Sequence, residues 1–411
     1  MINESRFNNF FFISLVIILI AELILNFFST NITGLFKFIF YFYIYISFLI
    51  IVLTFSVNRY KNINLNFKIL IFFLLCISLF QLLRIDDYNA IYFADNLISA
   101  KFGNISYGPM FLIPIFILWG FHENAIYYLE KIALFSIKIG IISLPFCFWF
   151  NLKYPIVAFL PSFFLLSSYR YSNSNRKFWI ILGILLSFVI FYLDNYRSGI
   201  LRLTFGIFLF FIIANKFRFF NKIFLILCFL LPILIFQNAT FSEKTFFNKT
   251  ASFFLDTEYG NLAVDTRSFL YKETFNDLSS NKKLLLGKGP LGSYYSPYFG
   301  ELGQSDIYGG ADHYIRSTVE VGLLHYLLKG GIIYFIIISL IFIFASFQSS
   351  RNDYINYLIA TVACYYLLFT IENIPFFNFL NALIWIILGI VISPHNQKLS
   401  NEDIYKILLK K

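Results

Sequence analysis

The feature that most constrains this chain is a series of apolar runs, each close to the length of a bilayer crossing, repeated from one end to the other. A helix of about 20 apolar residues spans a hydrocarbon core of ~30 Å. Only elements that satisfy their own backbone polar groups survive there. Runs at 10–28, 35–57, 67–83, 109–121, 132–150, 154–170, 178–194, 197–214, 222–237, 321–346, 354–370 and 376–393 predict an all-α polytopic membrane protein with about twelve transmembrane helices. The composition agrees, with 13% charged and 59% hydrophobic residues, against roughly 25% charged in soluble domains. A chain built this way is not a soluble core.

One long polar stretch interrupts the runs. The predicted organisation is therefore helices one to nine over 1–237, a large loop over 238–320 between helices nine and ten, three helices over 321–393, and a basic tail over 394–411. The first run reads as a spanning helix rather than a cleaved signal peptide, since no small-residue cleavage site follows it. The formal net charge of +10 invites a nucleic-acid partner, but the basic residues sit in short connections between apolar runs. With a cytoplasmic N-terminus, about 16 positive charges fall in inner connections and about 4 in short outer ones, as the positive-inside rule expects. Both termini are then cytoplasmic and the 238–320 loop lies on the far, periplasmic face. Cys76, Cys147, Cys228 and Cys364 all lie in apolar runs, so they read as small buried hydrophobes and not as disulfide or zinc ligands.

Charges inside spans are costly and point to function. Glu22 and Lys138 stand out on this ground, with snorkelling or a mutual ion pair as the plainer reading. Arg197 opens the eighth run in NYRSGILRLTFG, and Arg202 follows five residues deeper, about 140° round a helix. Arg202 therefore faces a different neighbour, with Asp194 a candidate partner. In the long loop, DTRSFLYKETF around Arg267 predicts a short helix with Phe269, Leu270 and Phe275 on its apolar side. Gly287, Gly289 and Gly292 mark a tight, backbone-exposed turn; a Walker A loop is excluded, because no Gly-Lys-Ser/Thr follows. His313 lies close to the next apolar run, beside Tyr314 and ahead of Arg316 and Glu320, while His325 reads as a satisfied interior histidine. A second outer segment over 84–108 carries Asp86, Asp87 and Asp95, either a solvated loop or an acid/base or metal site.

The order of these elements resembles the O-antigen polymerase and O-antigen ligase superfamily of membrane glycosyltransferases. The matching parts are Arg197-Ser198-Gly199 opening a late helix, one large outer loop, an arginine helix (Arg267), a Gly-x-Gly-Pro turn (Gly287, Gly289, Pro290), and His313-Tyr314 followed by Glu320 and Gly322. The resemblance runs from about Arg197 to Leu340. It implies a GT-C-like architecture in the inner membrane and metal-independent transfer of a glycan from undecaprenyl pyrophosphate to a sugar hydroxyl, with no cofactor. It implies Arg197 and Arg267 as pyrophosphate ligands and His313 as general base, with Glu320 orienting His313 or Arg316; Arg316, Glu320, Arg202 and Tyr314 are the further candidate substrate-binding residues. Arg202 departs from the family, where that position is usually apolar. The partners implied are an undecaprenyl-pyrophosphate-linked oligosaccharide, the lipid bilayer and a chain-length regulator.

Guanidinium groups suit a leaving pyrophosphate, because they stay charged and bind oxyanions with two parallel donors. A histidine of near-neutral pKa suits removal of a hydroxyl proton. Polymerase is the preferred reading. A ligase moving finished glycan to lipid A–core would use much the same site. A lipid-linked oligosaccharide flippase should show more intramembrane charge and no dominant outer loop, and a transferase using Asp86 or Asp87 should be lost on chelation.

Overall fold

The computed structural model describes residues 4–28, 45, 63–84, 101, 107–150, 152–214, 218–241, 268–301, 314–371 and 376–409. Over these residues the chain is predominantly helical, with one ladder of two-residue strands. Five helices are long and apolar enough to cross a membrane, which makes this a multi-pass membrane protein. The twelve expected spans are finer than this. The run over 35–57 lies almost wholly outside the described residues, and several of the other runs form shorter helices.

The long apolar helices are α2 (Leu65–Leu83), α4 (Ala125–Trp149), α6 (Ser174–Leu193), α8 (Arg218–Phe241) and α11 (Gly322–Ser346). With them pack α1 (Glu4–Phe28), α3 (Gly108–Gly120), α5 (Ile156–Tyr171), α7 (Arg197–Ala214), α12 (Asp353–Leu368) and α13 (Phe379–Ile392). The polar stretch contributes α9 (Ser268–Ser280), β1 (Tyr294–Tyr295), α10 (Pro297–Glu301) and β2 (Ile315–Arg316). Short helices α14 (Pro394–Lys398) and α15 (Asn401–Leu409) end the described chain.

Helix α13 is the centre of the bundle, buried at all 14 positions. Apart from Asn381, which donates to the Phe376 carbonyl at 3.0 Å, it carries no polar side chain, as a fully enclosed position requires. It crosses α3 at backbone contact: a Cβ on Gly389 would lie 2.0 Å from the Ile117 carbonyl oxygen, and one on Gly120 2.2 Å from that of Ile386. Small residues permit this approach between membrane helices. Glu22 explains itself here. Its carboxylate accepts the Phe379 N–H at 2.8 Å, stabilising the positive N-terminal end of α13. Lys138 does not pair with it; its ammonium lies 5.2 Å from the Trp179 ring centroid.

Three elements depart from regular helix. Most of α3 is 3-10, over Gly108–Phe111 and Ile113–Phe116. After its first turn, α5 is wound as a 3-10 helix from Leu160 to Tyr171. Its Phe163 carbonyl accepts from the Tyr357 hydroxyl at 2.8 Å, and buried Ser162 and Ser187 bond to each other at 2.9 Å. Helix α11 is broken at Gly331 (φ 74, ψ −178). Cys76 is exposed on α2, against expectation, while Cys147, Cys228 and Cys364 are buried, and all four are free thiols.

Candidate functional site

The break in α11 is filled by the glycine-rich turn of the polar stretch. A broken helix leaves carbonyls without partners on one side and N–H groups without partners on the other. Lys288 and Gly289 donate their N–H groups to the carbonyls of Leu328 and Lys329 at 2.8 and 2.9 Å, and Ile332 donates to the Leu284 carbonyl at 2.9 Å. The turn therefore replaces the missing turn of helix in both directions. Gly287 (φ 66) and Gly289 (φ 81) adopt left-handed conformations that other residues rarely hold. A Cβ on Gly331 would meet the Gly287 nitrogen at 2.3 Å, and one on Gly287 the Gly331 nitrogen at 2.5 Å. The turn is tight, as expected, but buried rather than backbone-exposed.

Side chains from three directions lock it. Gln81 Nε2, at the end of α2, donates to the carbonyls of Leu286 and Gly330 at 2.9 and 3.2 Å, and Arg84 donates to Leu286 at 2.8 Å. Lys329 is fully buried; its ammonium donates to the Gly292 carbonyl at 2.7 Å and lies 4.7 Å from the Tyr107 ring centroid. The Tyr107 hydroxyl donates to Ser317 at 2.6 Å. Lys288 pairs with Asp277 at 2.5 Å. These backbone groups are buried in protein, the condition under which irregular backbone is tolerated near a bilayer.

Helix α9 packs on this platform. Leu270, Tyr271, Thr274 and Leu278 are buried, and Phe269 and Phe275 are half-buried, so the predicted amphipathic helix forms, with its deepest face one position on from Phe269. Phe269 stacks on Tyr298 at 3.9 Å, and the Tyr271 hydroxyl donates to the Thr370 carbonyl at 2.8 Å. The strands pair Tyr294 with Arg316 and Tyr295 with Ile315. Glu273 accepts from the Ser296 hydroxyl at 2.6 Å and from the Tyr298 N–H at 3.2 Å, tying α9 to α10.

Arg316 is the notable cation of this module. It is buried, with its guanidinium carbon 3.9 Å from the Phe299 ring centroid and its Nε without a hydrogen-bond partner. Among the described residues its carboxylate neighbour is the half-exposed Glu320, four residues on, at a loose 3.9 Å. Tyr314 is partly exposed and stacks on Tyr295 at 5.6 Å, 10° from parallel. His325 is fully buried and its Nδ1 accepts the Val319 N–H at 3.2 Å, which is the satisfied interior histidine expected. Arg267 adjoins α9 in the chain and His313 adjoins Tyr314; both lie outside the described residues, as do Asp86, Asp87 and Asp95.

The other two arginines sit at the start of α7. A tight turn with Asn195 at φ 53 joins α6 to α7. Gly199 lets the Tyr196 ring lie against the helix, where a Cβ would come within 2.4 Å of it. Tyr196 in turn packs edge-on to Phe191 and accepts from Arg202 at 3.0 Å. Arg197 is exposed. Arg202 is buried, its guanidinium also 5.5 Å from the Tyr365 ring centroid, so its hydroxyl partner is Tyr196, where Asp194 was the candidate. Tyr365 packs on Phe369, and Phe369 on Tyr326 of α11. Because Tyr271 of α9 bonds to Thr370 just beyond α12, the start of α7 and the α9–β2 module share one end of the bundle.

Sequence reasoning passed over Lys329 and Gln81. Lys329 carried the signal, a charge within an apolar run followed by two glycines; Gln81 carried none. Among the described residues no three or more His, Cys, Asp or Glu side chains converge as metal ligands. Compared with known family models, characterised proteins and solved structures, the chain matches none.

Proposed function

We propose that this protein is a polysaccharide polymerase, transferring glycan from undecaprenyl pyrophosphate to a sugar hydroxyl of another lipid-linked repeat unit at the periplasmic face of the inner membrane. The observation that carries this reading is Arg316, buried with its Nε unpartnered, at the same end of the bundle as the start of α7, where Arg197 is exposed. A buried guanidinium with a free donor and, among the described residues, only a loose carboxylate neighbour is set to receive an anion.

In the proposed reaction the acceptor hydroxyl oxygen attacks the anomeric carbon of the donor. The bond from that carbon to the pyrophosphate oxygen breaks, and undecaprenyl pyrophosphate leaves with the electron pair. His313 takes the hydroxyl proton, a contribution of roughly 10²–10⁴-fold. Arg197, Arg267 and Arg316 stabilise charge on the pyrophosphate, as preorganised cations do where charge develops. Arg202 holds Tyr196 at the start of α7, Glu320 orients Arg316, and Tyr314 with Tyr295 offers a stacked aromatic face for a sugar ring.

The test is a glycolipid gel on cells with the gene deleted and then restored. A polymerase predicts collapse of the ladder to core plus one repeat unit, with recovery on restoration. Loss of every repeat unit from the core overturns the reading in favour of ligation or flipping. Accumulation of polymerised carrier-linked glycan then separates ligation from flipping.

A further inference from the structure

At the opposite end of the bundle a cleft of about 300 Å³ opens between α1, α4, α6 and α15. Its polar residues are Lys131, Lys138, Arg176 and Glu130, and its walls are apolar, with Phe12, Phe135 and Leu408 among them. Three cations thus face one carboxylate. That carboxylate is already committed: Glu130 is buried and accepts from Arg176 at 2.7 Å, from Tyr354 at 2.9 Å and from Ser167 at 3.2 Å. The Arg176 guanidinium is held by Glu130 and by the Leu408 carbonyl at 3.3 Å.

Among the described residues, Lys131 and Lys138 are held only by rings. Lys131 lies 4.7 Å from the Phe12 centroid and 5.7 Å from that of Tyr127, and Lys138 lies 5.2 Å from Trp179. Seven residues apart, they stand on one face of α4, about 10 Å apart along its axis. The same face continues as Phe135, Ile142 and Phe146, and the last two are 66% and 58% exposed. Exposed apolar side chains on a membrane helix face acyl chains. The two lysines therefore stand where the headgroup of a lipid lying along α4 would be, beside Trp179, a residue type that favours the membrane–water interface. Lysine stems reach such an interface from within the apolar zone.

We propose that this cleft is a binding site for an anionic glycerophospholipid. Lys131 and Lys138 hold the phosphate, and the acyl chains run along Ile142 and Phe146. The apolar stripe selects a lipid over free phosphate, and the uncompensated cations select an anionic lipid over a zwitterionic one. Because Leu408 and the Leu408 carbonyl border the cleft, a bound lipid also braces α15 against α4 and α6.

The experiment is native mass spectrometry of the full-length protein in detergent, titrated with phosphatidylglycerol, phosphatidylcholine and inorganic phosphate. Phosphatidylglycerol is expected to bind in preference to phosphatidylcholine, with inorganic phosphate in excess failing to displace it. The Lys131→Gln/Lys138→Gln variant is expected to bind phosphatidylglycerol about 30-fold more weakly, and Lys131→Arg/Lys138→Arg to retain binding. Circular dichroism of each variant establishes that it is folded, and Phe146→Ala separates loss of chain contact from loss of charge. Equal affinity for the two lipids, displacement by phosphate, or unchanged binding in the folded glutamine variant would each overturn the proposal.

Discussion

Among single residues, two glycines and one arginine have the most specific roles. Gly331 and Gly287 face each other at backbone contact, and Gly331 (φ 74, ψ −178) holds a conformation essentially reserved for glycine. Gly331→Ala adds that conformational cost to a collision with main chain that cannot move aside, and should destabilise the protein by about 3 kcal/mol. Thermal unfolding in detergent measures this. Gly183→Ala is the control: the atoms nearest its added Cβ belong to the Ile137 side chain, from 2.6 Å, which can shift where main chain cannot, so its loss should be clearly smaller. Arg316→Lys should keep the charge but lose the flat stacking on Phe299 and the paired donors. The proposed activity should fall about 10- to 100-fold at normal protein level, read from the glycolipid ladder; full activity would remove Arg316 from the site. Gly287 was legible in the sequence as part of a turn, whereas its burial was not, because its partner Gly331 lies 44 positions away in an apolar run.

At the scale of elements, the joint between α11 and the glycine turn decides how the polar stretch sits. Four main-chain N–H groups, those of Lys288, Gly289, Ile332 and Ile333, bond across it. Their amides should exchange with deuterium as slowly as those of α13, although two of them lie in a turn rather than a helix. Gln81→Ala, which removes donors to Leu286 and Gly330, should speed exchange at the joint without altering α13; exchange at loop rates in the unaltered protein would contradict the joint. Apolar length read the helices well, since it depends only on a local run of side chains. It read the break in α11 as one continuous span over 321–346, because paired glycines in an apolar run look like a packing contact until the chain that fills the gap is seen. It also missed the 3-10 winding of α5, where the Phe163 carbonyl accepts from Tyr357 of a distant helix.

At the scale of the whole molecule, the two ends of the bundle differ in kind. One carries the module around Arg316 and the start of α7. The other carries Arg176, Lys131 and the terminal helix α15, tied in by the Tyr171 hydroxyl donating to Asn401 at 2.6 Å. Under the proposed orientation, Ser279→Cys should react with a membrane-impermeant maleimide added to the periplasmic side, and Glu402→Cys only after the membrane is opened. Both positions are exposed, and the reverse pattern would invert the topology. The charge asymmetry that suggests this orientation was readable from the sequence, because it resides in short connections. The candidate chemistry was readable only as an order of residues, and Arg316 gained its weight from burial, which no local pattern reports.

Polymerase activity can be assayed with purified protein in proteoliposomes, supplied with a single undecaprenyl-pyrophosphate-linked repeat unit in the presence of a chelator. The predicted result is carrier-linked glycan of two and more repeats, with one undecaprenyl pyrophosphate released per bond formed, and loss of elongation in His313→Ala. Folded protein that binds the lipid-linked unit without elongating it, or that elongates it equally well without His313, would contradict the account.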